Sequence, residues 1–325
     1  GRPSQTHSVV RREAIPDEFH GTKFSYQSSP VHLEPPSETR RPFHEKIVTY
    51  RAETAYSRVK QPVGAVTAKP SAEQRLSVRN RPRGLPVMHQ RWENLLFLHW
   101  AVPVQSVKEH LPPGLEVDTY NGTAWVGVVP FFMRGVRPRF LPSVPGLSNF
   151  LELNVRTYVH DTEGIPGVWF FSLDASSRIA CSLGRRLFNL NYRDAKMTAR
   201  KGDWVDFKAS RTGVSGSAVF RYRPTGKPRA ARPGSLEYFL TERYALYASS
   251  GATRRLWRGR VHHPPYQIFD ADMEHVSSLP AEWNGQDSLS GPPQHACVSP
   301  GVQVDIFRLQ QVRYGDAHTQ PDTYE

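Results

Sequence analysis

Four side chains able to do chemistry, Glu152, Asn154, Arg156 and Tyr158, recur at every second position within an otherwise apolar segment. In an extended strand that spacing puts all four on one face, with Leu151, Leu153, Val155, Thr157 and Val159 on the other. A carboxyl, an amide, a guanidinium and a phenol side by side offer a proton carrier, a hydrogen-bond partner and a two-pronged grip for a carboxylate. Two readings follow. Facing water, the stripe is a solvated strand face with a Glu-Arg pair. Facing inward, it lines a pocket in which Glu152 serves as general acid or base, with Asn154 and Arg156 holding an anion. Periodicity alone leaves both open.

Other chemistries have weaker support. The sequence contains no P-loop, no strand-bound Gly-x-Gly-x-x-Gly, no His-Glu-x-x-His and no Gly-x-Ser-x-Gly. Gly213-Val214-Ser215-Gly216-Ser217 has the wrong spacing for a nucleophile elbow and reads as a turn. His262 and His263 are adjacent, so in a strand their rings point to opposite sides and cannot easily share one ion. One of them facing inward near His275 or Asp270 stays open, but a hydrogen-bonded structural histidine fits better, and no metal is expected. Cys181 and Cys297 are too few for a disulfide framework or a four-thiolate zinc site, which suits a reducing compartment.

The elements that would carry these residues are mostly strands. Leu95 to Trp100 is a compact apolar run, and Val104 to His110 reads as helical up to the Leu111-Pro112-Pro113-Gly114-Leu115 stop. Leu115 to Tyr120 and Thr123 to Val129 flank Asn121-Gly122, the turn signal of a tight hairpin. Further hairpins are predicted for Leu151 to His160 with Val168 to Leu173, and for Trp204 to Ser210 with Ala218 to Arg223. One helix is predicted over Leu236 to Ala248, capped by Ser235. Strands return at Trp257 to His262, Tyr266 to Phe269 and Val302 to Leu309. Many antiparallel strands without a βαβ rhythm predict a mainly-β barrel or curved sandwich.

Composition divides the 325 residues in two. Residues 1 to 87 hold 15 Lys+Arg against 8 Asp+Glu and 10 of the 28 Pro, but no Trp, Met or Cys. Such a segment buries too little apolar surface to offset its ordering entropy, so it is predicted to be a basic, Pro-rich, disordered extension. Met88, the first Met, stands just before the first apolar run, and one reading is that the natural product begins near it; the sequence leaves open whether residues 1–87 belong to that product. A basic tail touching RNA is the alternative; no Lys/Arg-rich run supports it, so nucleic acid is not expected. Residues 88 to 325 form the predicted folded domain. The longest uncharged stretch, Thr119 to Met133, includes Asn121, Gly122 and Pro130 and is too short and broken to cross a bilayer. A soluble, cytoplasmic protein is the resulting expectation.

Several segments taken in order carry a resemblance. These are Gln90 to Trp100, Leu111 to Glu116, Trp125 to Phe131, Glu152 to Val159, Phe170 to Ala175, His262-His263-Pro264-Pro265-Tyr266 and Ser299 to Val304. Together they resemble the YqjF-like family of uncharacterised bacterial proteins, over about residues 88 to 310. The resemblance implies the acetoacetate decarboxylase-like fold: a cone-shaped antiparallel β-barrel around a small-molecule cavity, with one or two helices. In the decarboxylases a lysine forms a Schiff base with a keto acid, because the imine accepts the electrons of the departing carboxylate, and only an uncharged amine can form it.

Carried over by position, the resemblance puts Arg91 at the family's arginine and Glu152 at one pocket glutamate, with Gly127 at the other. Asn191-Tyr192-Arg193 takes the place of the Schiff-base Pro-Lys-Lys segment, so Tyr192 stands where the nucleophile would be. A phenol forms no imine. The resemblance therefore implies a barrel that binds a small carboxylate-bearing ligand without decarboxylating it, and without a cofactor. Glu152 and Tyr192 would move protons and Arg91, Asn154 and Arg156 would bind the ligand, while a homo-oligomer is left open. The rival is a Schiff-base lyase using Lys196 as a relocated amine.

Overall fold

In the β4 strand (Phe150–Asp161) the alternation becomes a division between two cores. Leu153 and Val155 enter one apolar cluster with Leu96, Leu98, Val126, Val128, Phe207 and Phe220. The opposite face of the same strands looks into a second cluster built by Leu95, Phe97, Val129, Phe131, Tyr266 and Cys297. Both faces are buried, so the polar stripe is an interior one. The structure, a computed structural model, describes residues 69–250, 255–286 and 289–313.

Among these residues the strands are β1 Met88–Val102, β2 Leu115–Val117, β3 Ala124–Pro138, β4, β5 Pro166–Ala175, β6 Tyr192–Lys201 and β7 Val205–Arg211. They continue as β8 Ala218–Arg229, β9 Ala245–Ser249, β10 Leu256–His262, β11 Ile268–His275, β12 His295–Ile306 and β13 Gln310–Val312. The helices are short: α1 Ala72–Ser77, α2 Val104–Lys108, α3 Arg178–Phe188, α4 Leu236–Thr241 and α5 Leu279–Glu282. The protein is thus mainly β with few helices. Strand pairing runs β4-β5, β5-β9, β9-β10, β10-β12, β12-β1, β1-β3 and β3-β4, returning to its start. A further run, β6-β7-β8-β11, links β5 to β12. The pairing is not wholly antiparallel as expected, since β5 runs parallel to both β6 and β9.

The predicted hairpins β4-β5 and β7-β8 form as expected. Asn121 and Gly122 take positive φ values of 50° and 81°, as the tight turn requires. The hairpin around them is only the bridge Tyr120-Thr123, because β2 pairs with β4 instead. The helix expected over Leu236 to Ala248 stops at Thr241. Ser235 caps it by accepting from Tyr238 N at 3.2 Å, but Ala245 to Ser249 become β9. That run is compatible with either period, and docking Leu246 beside Val168 of β5 decides for the strand.

Two departures matter for the site. Helix α3 was not anticipated: its larger apolar residues Ile179, Leu183 and Leu187 are exposed, and the side it buries carries Cys181 and Gly184. In β1, Asn94 takes a φ of 51° and the register with β3 shifts after Glu93. This bulge reverses which residues face inward, so Trp92 joins Leu95 and Phe97 in the second core. Residues 69–87, expected to belong to a disordered extension, are docked on the body. Arg75 binds Asp118 through two hydrogen bonds of 2.6 and 2.7 Å, and Val78 is buried. The rest of the predicted extension lies outside the described residues.

Candidate functional site

The stripe becomes a site through the register of its neighbours. Arg156 of β4 sits opposite Gly127 of β3, Gly127 opposite His99 of β1, and His99 opposite His295 of β12. A Cβ added at Gly127 would meet His99 Cδ2 at 3.1 Å and Arg156 Cγ at 3.4 Å. The missing side chain is therefore what lets the flanking imidazole and guanidinium converge. One row further along, Asn154 faces Val129; in the next, Glu152 faces Phe131 and Ala175.

Arg156 is 8% exposed and carries no carboxylate partner among the described residues. Its Nη2 donates to the Leu240 carbonyl at 3.1 Å and its guanidinium lies 5.4 Å from the Phe97 ring centre, while Nε has no partner. Asn154 Oδ1, His99 Nε2, His263 Nε2 and Ser299 Oγ are likewise buried and unpartnered. Buried polar atoms are ordinarily satisfied, so this concentration of unused donors and acceptors needs an explanation.

Glu152 is 2% exposed and accepts a hydrogen bond from the Tyr192 hydroxyl at 3.1 Å. Burial, opposed by that hydrogen bond and reinforced by the charge of Asp174, pushes its carboxyl up to about 8. The same burial and the neighbouring Glu152 hold the Tyr192 hydroxyl well above its usual value. Burial depresses His99, with His295 and Arg156 adding to the effect, and it lowers His263 to about 4. At neutral pH the carboxyl is protonated and the imidazoles are neutral. Arg156 then stands as the charged group among Glu152, Asn154, Tyr192, His99 and His263.

Tyr192 reaches Glu152 across α3. Its ring lies against Gly184, where an added Cβ would come within 2.3 Å of the ring. Of the expected site residues, the structure thus brings together Glu152, Asn154, Arg156 and Tyr192, on the buried face of the reading that has them inward. Arg91 does not join them. The Asn94 bulge turns Trp92 inward in its place, and Arg91 is exposed, paired with Glu93 at 2.7 Å. Lys196 is exposed on β6, as is every other described lysine, and cannot take the role of a relocated amine beside Glu152. Neither His275 nor Asp270 lies with the inward His263: both are exposed on β11, and His263 Nδ1 bonds the Pro264 carbonyl at 2.8 Å.

Sequence reasoning missed His99, His295 and Gly184. His99 gave a faint signal, a titratable residue in register with Leu95 and Phe97 inside an apolar run. Two cavities flank the region. One of about 200 Å³ is lined by Arg75, Tyr120, Tyr238, Phe239, Glu242 and Arg243. The other, of about 290 Å³, is lined by Arg79, Tyr244, His262, His263 and the two following prolines. Neither includes Glu152, Asn154, Arg156 or Tyr192 in its walls.

The fold is similar to that of solved structures of the acetoacetate decarboxylase-like kind. The structure of the enduracididine biosynthesis enzyme MppR complexed with pyruvate superimposes with a TM-score of 0.50 at 14% identity, over 70% of this chain and 91% of that one. An acetoacetate decarboxylase from Legionella pneumophila gives a TM-score of 0.49 at 11% identity, over 77% of this chain and 98% of that one. By sequence the chain belongs to the DUF2071 family, described as uncharacterized conserved proteins, whose pattern matches residues 89–303. The uncharacterized protein YqjF of Bacillus subtilis is 42% identical over 195 residues, which is 59% of this chain and 79% of YqjF. Among the described residues no helix is long and apolar enough to cross a membrane.

Proposed function

We propose that the strand circuit is a closed barrel whose polar inner face binds a small organic acid. The observation that carries this reading is Arg156: a buried guanidinium with a free Nε and, among the described residues, no carboxylate beside it. Burying an unpaired charge costs several kcal/mol, so such a group is retained where an anion completes it. The Asn154 amide nitrogen would donate to the same carboxylate, while protonated Glu152 and the Tyr192 hydroxyl would donate to the ligand's carbonyl or hydroxyl oxygen. Entry is through the cavity of about 290 Å³. Its wall residue His263 packs on Tyr266 at 4.7 Å, and Tyr266 packs on Phe97 beneath Arg156 at 5.3 Å.

Imine chemistry is not expected, since Tyr192 replaces the amine and Lys196 is exposed. Any reaction would be proton transfer by Glu152 and Tyr192, close enough to share a proton. Calorimetric titration tests the reading, with pyruvate, the molecule bound in the MppR structure, as first probe, followed by longer 2- and 3-keto acids and their methyl esters. Acids are expected to bind and esters not. Arg156→Gln should weaken the acid by about 10- to 100-fold, the loss of one charge-assisted pair. Equal binding of acid and ester, or no binding across the series, overturns the proposal. Borohydride in the presence of a keto acid should leave Lys196 unmodified.

A further inference from the structure

A second group of side chains lies where α4 meets β12. Glu237 in the first turn of α4, His295 and Cys297 each offer one ligand atom, and the three atoms lie within 4.8 Å of one another. His295 Nε2 is 4.0 Å from Glu237 Oε1. Cys297 is a free, fully buried thiol, and its position two residues beyond His295 on β12 puts both on one strand face.

We propose that Glu237, His295 and Cys297 form a zinc site with an open fourth position. A carboxylate oxygen, an imidazole nitrogen and a thiolate sulfur match the borderline preferences of Zn²⁺, whereas the sulfur argues against magnesium and calcium. Bonds of about 2.0–2.3 Å set tetrahedral ligand separations of roughly 3.3–3.8 Å, so the trio closes by about 1 Å on binding. The Cys297 S–H bond breaks, its proton leaves to water, and the sulfur lone pair forms the Zn–S bond. Thiolate and carboxylate then neutralise the ion. Arg229 already donates to both carboxylate oxygens of Glu237, to Oε1 at 2.7 Å and to Oε2 at 3.3 Å, and orients the carboxylate toward His295.

The outer partner is also in place. His295 Nδ1 is 3.0 Å from His99 Nδ1. With Nε2 on the metal, His295 carries its proton on Nδ1 and donates it to His99, the arrangement that fixes a metal-bound imidazole. His99 must then be protonated at Nε2, the buried and unpartnered atom beside Gly127 and Arg156. Zinc would thus set His99 as a donor toward the acid pocket, although the metal site itself stands without that pocket.

The test uses the full chain, stripped with a chelator and titrated with Co²⁺ and then Zn²⁺. One Co²⁺ per chain is expected, with a thiolate-to-cobalt charge-transfer band that Zn²⁺ bleaches. Cys297→Ser should lose the band and Cys181→Ser should keep it. Glu237→Gln should weaken the metal at least tenfold, and His99→Ala by about 10- to 100-fold. Circular dichroism reports folding of each variant, and if Cys297→Ser does not fold, Glu237→Gln and His295→Ala decide. Absence of stoichiometric binding, a band that survives Cys297→Ser, or affinity unchanged in Glu237→Gln overturns the site.

Discussion

Glu152 and Arg156 share one buried strand face without pairing, and the two groups handle burial differently. The carboxyl escapes the cost by keeping its proton, while a guanidinium cannot give one up and relies on the Leu240 carbonyl and the faces of Phe97 and Tyr158. The sign of the resulting pH dependence is fixed. Because the folded protein holds the Glu152 proton up to about 8 and the unfolded chain releases it in the usual carboxylate range, the native state binds more protons between those limits. Stability from this group therefore falls as pH rises toward 8, by about 1.4 kcal/mol per unit at most. Glu152→Gln should flatten that slope in denaturant unfolding followed from pH 5 to 9, and a slope unchanged by the substitution would show that the carboxyl is ionised in the fold. Arg156→Met, which fills the volume without charge, should leave the ligand-free protein about as stable or slightly more so, as thermal unfolding would report.

Elements place these residues through small local choices. The single left-handed residue Asn94 decides that Trp92 and not Arg91 faces inward, and simple alternation from Leu95 and Phe97 would have put Arg91 inside. Helix α3 positions Tyr192 by withholding a side chain at Gly184. Gly184→Ala would drive a methyl into the Tyr192 ring, which must withdraw from Glu152, costing about 1–3 kcal/mol despite the better helix propensity of alanine. Thermal unfolding reads the cost, and a loss matching Tyr192→Phe in keto-acid affinity would tie it to the site. Helix α3 itself was not legible, because its apolar stripe of Ile179, Leu183 and Leu187 faces outward and breaks the usual link between periodicity and core.

At the scale of the molecule, residues 69–87 of the compositional arm are part of the body. Asp118 is 3% exposed, and although burial alone would raise it, Arg243 and Arg75 hold it below the usual carboxylate range. Arg75 also packs over Phe239 at 5.3 Å, and Arg260 donates to the Val78 carbonyl at 2.6 Å. A chain beginning at Met88 should consequently be less stable than one beginning at Lys69, by about 2–4 kcal/mol in urea unfolding. Equal stability would mean that these contacts contribute nothing. Composition could not show this docking, because it averages one capped helix with the many polar residues around it. By itself the sequence determined the strand-rich class, the two long hairpins and the polar face of β4, since these follow from period-two alternation and short turn signals, while the family resemblance came from the identity and order of its motifs. Only the tertiary structure decided that the face is buried, that Tyr192 reaches Glu152, that His99 and His295 complete the row and that Arg91 is excluded. Those outcomes depend on register and on one bulge, which arise from contacts between segments far apart in the chain.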